Sequence, residues 1–194
     1  RIDAFFEEIV EDRHKTTLYQ LIAHCLYKEY AAEKAAMLLG EGQNGKSVFL
    51  SLVEAFLGEW NVSNQSLQKL NEDDWSANNL VGKLANVHPD LSDQTVQTMQ
   101  MFKKLTGRDT IDADVKFEKP ISFENYATLI FACNRMPVLE DDTRGNWRRW
   151  ILIHFPNTFE RGDDDFVEKR ELMAELTDEA ELEGLLARCV DEIQ

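Results

Sequence analysis

The sequence predicts an α/β fold, and three stretches predict it. Lys34–Ser51 (KAAMLLGEGQNGKSVFLS) passes from an apolar run, Ala35–Leu39, through a glycine-rich turn into a segment that can be helical. Lys83–Pro89 (KLANVHP) is apolar enough for a buried strand, and Ala127–Cys133 (ATLIFAC) has the strongest buried-strand pattern in the chain.

Taken in order, Ile2–Asp12 sets Ile2, Phe5, Phe6 and Ile9 among acids, which suits a short amphipathic helix. Thr16 or Thr17 can cap a second helix through Tyr30, with Leu18, Leu21, Ile22, Cys25 and Leu26 on one stripe. His14 and His24 have no metal-ligand partners nearby and read as surface or packing residues. These 33 residues form a helical segment ahead of a core at 34–156, and an acidic helical segment follows at 157–194.

The turn after Leu39 reads Gly40-Glu41-Gly42-Gln43-Asn44-Gly45-Lys46-Ser47, the phosphate-loop pattern G-x-x-x-x-G-K-[ST]. Glycines let the backbone turn successive N–H groups inward onto phosphate oxygens. The helix that starts there adds its positive dipole end. Lys46 is the expected charge for the β- and γ-phosphates, and Ser47 the hydroxyl ligand for Mg²⁺. Val48–Leu57 continues as a helix with Val48, Leu52 and Phe56 toward the sheet, and Gly58 ends it.

Asn61–Ser63 reads as a short strand, and Asp73 or Asp74 can cap a brief helix near Trp75–Leu80. Asp90 follows the Lys83–Pro89 strand directly, where a Walker-B acid holds Mg²⁺ or its water; Asp93 competes for that role, and His88 reads as structural. Val96–Leu105 reads as a helix bearing Lys103 and Lys104, closed by Gly107. Thr110–Phe123 reads as two short strands whose turn carries Lys116, Phe117 and Lys119. Cations interleaved with an aromatic suit a contact to single-stranded nucleic acid.

Asn134 ends the strand Ala127–Cys133, where an amide can position an attacking water or simply form a turn. An acidic loop, Glu140–Asp142, precedes Arg148 and Arg149, which open a last apolar strand, Trp150–Phe155. Paired arginines are expensive to leave unpaired, so they meet a carboxylate within the fold or a phosphate on a neighbouring subunit. Beyond Pro156 the chain is polar to Phe166, then offers two acidic helices at Val167–Leu176 and Glu179–Ile193.

Net charge is −15, yet it is unevenly placed. Residues 156–194 hold 13 acids against 4 bases, whereas Lys83–Ser122 balances 6 against 6. An acidic coat can therefore coexist with a locally basic loop. The three cysteines, Cys25, Cys133 and Cys189, are widely spaced, which argues against a zinc motif or disulfide scaffold and fits a reducing cytoplasm. No apolar run reaches membrane-span length and no signal peptide is visible, while Arg1 in place of Met suggests a piece of a longer protein.

Four ordered blocks, GEGQNGKS, GKLANVHPDLSD, LTGRDTIDADVKFEKPISFENYATLIFACN and DDTRGNWRRWILIHFP, make the chain resemble superfamily 3 helicases of the phage, plasmid and virus primase–helicase type. The resemblance implies a three-layer α/β P-loop ATPase core related to the AAA+ class, with flanking helices, assembled as a homo-hexamer around single-stranded DNA. It implies ATP and Mg²⁺ as cofactors, with Lys46 and Ser47 on the phosphates and metal. It makes Asp90 the Walker-B acid, Asn134 the sensor-1 amide and Arg148 or Arg149 the finger reaching an adjacent protomer. Lys116 falls on the family's DNA-binding hairpin, beside Lys119. It also implies flanking primase or DNA-binding domains, and a cytoplasmic setting, the host's if the element is viral.

Two departures stand out. Pro89 replaces the first acid many relatives carry, so Asp90 lacks a paired carboxylate, for which Glu41 is a poor substitute. Asp114 and Val115 make the hairpin less basic, which predicts modest, salt-sensitive DNA binding. These leave an alternative, an ATP-binding switch or loader that holds nucleic acid without unwinding it. A small-molecule kinase has nothing beyond the loop in its favour.

Overall fold

A computed structural model of the chain describes residues 1–72, 74–113, 121–163 and 166–193. Five parallel strands form the central sheet: β1 (Ala35–Leu39), β2 (Val62–Ser63), β3 (Ala85–His88), β6 (Thr128–Cys133) and β7 (Trp150–His154), in the order β2-β3-β6-β1-β7. A separate antiparallel pair, β4 (Thr110–Ala113) and β5 (Ile121–Glu124), forms a hairpin whose connecting residues lie outside the described set.

Strand alternation divides the core into two faces. Ala36 and Leu38 of β1, Val87 of β3 and Ile130 and Ala132 of β6 point to one side. There they meet α1 (Ile2–Ile9), α2 (Asp12–Cys25), α3 (Lys46–Leu57), α8 (Lys169–Leu176) and α9 (Glu179–Ile193). Ala35 and Met37, with Leu129, Phe131 and Cys133, point to the other, against α4 (Leu67–Glu72), α5 (Asp74–Asn78) and α6 (Gln100–Thr106). This helix–sheet–helix sandwich is a three-layer P-loop ATPase-like α/β fold. Helices from both ends of the chain share one apolar cluster with the sheet, so the flanks are built into the core that carries the site.

Several element boundaries differ from the sequence expectation, each for a local reason. Helix α2 starts at Asp12 after Glu11, not after Thr16 or Thr17, and stops at Cys25. The chain then leaves the helix to bury Tyr30, whose hydroxyl accepts the Leu129 N–H at 3.1 Å. Helix α6 begins at Gln100 because Val96 is drawn into a one-residue parallel bridge with Leu139. Helix α3 buries Phe49, Leu50, Val53 and Leu57 as well as Val48 and Leu52, while Phe56 is only half-buried. It is covered by α1 and α8 in addition to the sheet, so its apolar face is wider than one stripe. Arg148 and Arg149 precede β7 rather than opening it, following a short helix α7 (Arg144–Trp147).

Candidate nucleotide site

In a parallel sheet the carboxyl ends of the strands open onto a common crevice, the usual place for a ligand. Here β1 ends in the glycine turn, β3 in Pro89-Asp90 and β6 in Asn134, and β6 lies between the other two strands. Leu91 N–H donates to Ala132 O at 2.7 Å, which pins the Asp90 turn against the end of β6. One cavity of about 500 Å³ is lined by Gly42–Val48, Pro89, Asp90 and Asn134 together. Gly40 and Glu41 do not line it, and neither does Asp93.

The turn's shape explains its residue types. Gln43 and Gly45 have φ of 56° and 85°, and Gly45 leads directly into α3. A Cβ on Gly45 would sit 2.4 Å from Ile9 Cγ2, and one on Gly40 would sit 2.6 Å from the Phe155 carbonyl. Gly42, by contrast, faces open space. Asn44 braces the turn from inside, its Nδ2 donating to Glu41 O at 3.1 Å and to Phe155 O at 3.5 Å.

Lys46 is buried and folded back onto its own loop. Its Nζ donates to the Gly40 carbonyl and to Asn44 Oδ1, the latter at 3.1 Å. Burial pulls its pKa below the ordinary lysine value, an effect opposed by Cys133 and Asp90. The same burial raises the Cys133 thiol to about 11, against the pull of Lys46. Among the described residues the hydrogen-bond acceptors of this desolvated ammonium are neutral oxygens, an arrangement an anion would improve. Ser47 and Asp90 are exposed to the cavity, and Asn134 is exposed at the strand tip. Among the described residues no group of three or more His, Cys, Asp or Glu side chains could hold a metal ion. A Ser hydroxyl with one carboxylate suits Mg²⁺ that takes its other ligands from phosphate and water.

The two arginines lie elsewhere. They sit before β7, whose first residue pairs with Ala35 at the start of β1, so the length of β1, roughly 16 Å at 3.3 Å per residue, separates them from the turn. Arg148 Nη1 meets Glu33 Oε2 at 3.1 Å and its side chain is 53% exposed. Arg149 is 12% exposed, and its Nη1 reaches the Thr106 carbonyl at 3.3 Å as well as Glu33 at 3.5 Å. Lys116, Phe117 and Lys119 fall outside the described residues. His88 Nδ1 bonds Asn64 Oδ1 at 2.8 Å, and His24 Nδ1 bonds Thr128 Oγ1 at 2.8 Å.

Sequence reasoning missed part of the cavity's wall. Phe5 of α1, Phe159 and Phe166–Lys169 of the C-terminal segment, and Leu172 of α8 also line it. Phe159 N–H donates to Gln43 O at 2.8 Å, and Lys169 Nζ lies 3.3 Å from Ser47 O, so this segment is bonded directly to the glycine turn. The available signal was two phenylalanines inside an otherwise polar stretch. A second cavity of about 470 Å³ lies toward the opposite end of the sheet, between α2, α9 and the starts of β1 and β6, and has no phosphate loop.

Fold and site together define a P-loop ATPase-like α/β protein. Residues 38–149 match DUF5906, described as a family of unknown function, and the chain belongs to that family. A protein of Acanthamoeba polyphaga mimivirus named "Putative helicase L207/L206" is 29% identical over 168 residues, which cover 81% of this chain and 17% of that protein. The C-terminal region of NrS-1 has the same fold, with a TM-score of 0.70 at 16% identity over 95% of this chain and 44% of that one. A second structure of that region gives 0.63 at 18% identity over 91% and 43%. The chain therefore spans under half the length of each. The resemblance drawn from the four blocks is borne out: the relative found by sequence is named a helicase and is viral, and the solved region shares the fold. Among the described residues no helix is long and apolar enough to cross a membrane.

Proposed function

We propose that this chain is the ATP-hydrolysing motor core of a DNA helicase acting in replication of a virus, phage or plasmid-like element. One observation carries the reading: the glycine turn, Asp90 and Asn134 share a single cavity at the carboxyl ends of three adjacent parallel strands. Kinship to a viral protein named "Putative helicase L207/L206" supports a nucleic-acid polymer as the substrate.

In this reading Lys46 leaves the Gly40 carbonyl for the β- and γ-phosphate oxygens, where its charge is worth more. Ser47 and Asp90 would hold Mg²⁺, which when bound would neutralise charge on the phosphate oxygens. Asn134 orients the water that attacks the γ-phosphorus. The rest is positioning and charge, so one arginine supplied in trans can dominate the rate. Of the two candidates, Arg148 is the more exposed and is favoured for that role, while Arg149 bridges Glu33 and the C-terminal end of α6. A finger from a neighbour requires a second subunit; in this proposal the assembly is a homo-hexameric ring with flanking primase or DNA-binding domains, around single-stranded DNA tracked by Lys116 and Lys119.

Lys46→Ala tests the core of the proposal: ATP hydrolysis is expected to vanish, and wild-type turnover in that variant would remove its basis. A second reading, a switch or loader that binds ATP without unwinding, is favoured by Pro89, which leaves Asp90 as the sole acid at the β3 tip. Strand displacement by the full-length protein separates the two, since robust unwinding excludes the switch.

A further inference from the structure

The cavity is lined by two chemically distinct sets of residues: the glycine turn, Asp90 and Asn134, and the apolar side chains Phe5, Phe159, Phe166, Val167 and Leu172. We propose that the apolar part of the wall is a base subsite in which Phe159 and Phe166 present their rings to the base of a nucleoside triphosphate, and that it accepts any of the common bases. The inference rests on the phosphate-loop reading and extends it.

Three observations support the subsite. Phe159 and Phe166 are each half-buried, so part of each ring remains available to a ligand, whereas Phe5 is fully buried behind Gly45. The backbone bond from Phe159 to Gln43 anchors the Phe159 main chain to the phosphate turn. Lys169, bonded to Ser47 O and Ser51 Oγ, ties the start of α8, three residues after Phe166, to the start of α3. A planar heteroaromatic ring is the ligand such a wall fits, and every base has a π-face.

Tolerance follows from how the charged groups beside these rings are used. Reading a base edge needs free donors and acceptors aimed at it. Among the described residues that line the cavity with them, the charged side chains outside the phosphate site are already engaged: the Arg1 guanidinium with Glu8 and Glu175, Glu168 with Arg161, and Lys169 with α3. Stacking without edge contacts gains affinity but distinguishes bases weakly.

The test is equilibrium binding, in Mg²⁺, of ATP, GTP, CTP, UTP and inorganic tripolyphosphate to the wild-type chain and to Phe159 and Phe166 variants. The four nucleotides are expected to bind within about threefold of one another, and all of them more tightly than tripolyphosphate. Phe159→Leu and Phe166→Leu, which keep an apolar side chain but remove the ring, are expected to weaken ATP by about five- to tenfold each while tripolyphosphate is held as before. Phe159→Trp restores the affinity, which a merely structural role would not allow. Unchanged ATP affinity in both Leu variants overturns the subsite, and a preference above about tenfold for one base overturns its tolerance. Wild-type binding of neither ATP nor tripolyphosphate would instead sink the phosphate site, and the subsite with it. Binding of tripolyphosphate as tight as ATP would sink the subsite alone.

Discussion

Lys46 is where the chemistry of single residues is most exposed to test. Burial among neutral acceptors depresses its pKa, so the free protein loses that proton at a lower pH than an ordinary lysine would. A bound triphosphate favours the charged form and reverses the shift. Nucleotide affinity is therefore expected to fall as pH rises through the depressed value, with proton uptake on binding in that window. Calorimetry in two buffers of different ionisation enthalpy reads the uptake directly, and none at alkaline pH would contradict it. The arginines separate cleanly at the same scale. Arg148→Ala is expected to leave stability within about 0.5 kcal/mol, since the pair with Glu33 is more than half exposed on the arginine side. In assembled rings it should cut turnover by on the order of 10³. Arg149→Ala should cost about 1–3 kcal/mol by orphaning the Thr106 carbonyl, read as a lower denaturation midpoint.

Among the elements, α1 and the glycine turn are made for each other. Ile9 occupies the space a side chain on Gly45 would need, and the positive φ there disfavours any other residue. Gly45→Ala is expected to cost about 1–3 kcal/mol and to weaken triphosphate binding, measured by melting and by titration. On the other face of the sheet, Trp150 of β7 stacks on Phe102 of α6 at 4.5 Å and 12°. Trp150→Ala should cost about 3–5 kcal/mol, enough to threaten the fold rather than the site. The elements legible in the sequence were those specified locally. The strands β1, β3 and β6 announce themselves as apolar runs, and the turn through its fixed glycine and lysine spacing. The start of α2, the Val96–Leu139 bridge and the docking of Phe159 on Gln43 depend on residues far apart in the chain, which no local pattern records.

For the whole molecule, the sequence placed the glycine turn, Asp90 and Asn134 in one site, and the fold brings those three groups to one cavity. It left the arginines open between a carboxylate within the fold and a phosphate next door. Within one chain they meet Glu33, a strand's length from the cavity, so any part in catalysis belongs to an assembly. Mixing Lys46→Ala subunits with Arg148→Ala subunits under ring-forming conditions should restore some hydrolysis, because some interfaces then combine an intact loop with an intact finger. No restoration would count against a shared site. The most direct measurement is a structure of the chain with Mg²⁺ and a non-hydrolysable ATP analogue. It should show the phosphates held by the 42–47 backbone, Lys46 Nζ moved from the Gly40 carbonyl onto them, and the metal between Ser47 and Asp90. An analogue bound elsewhere, with Lys46 still on that carbonyl, would contradict the account.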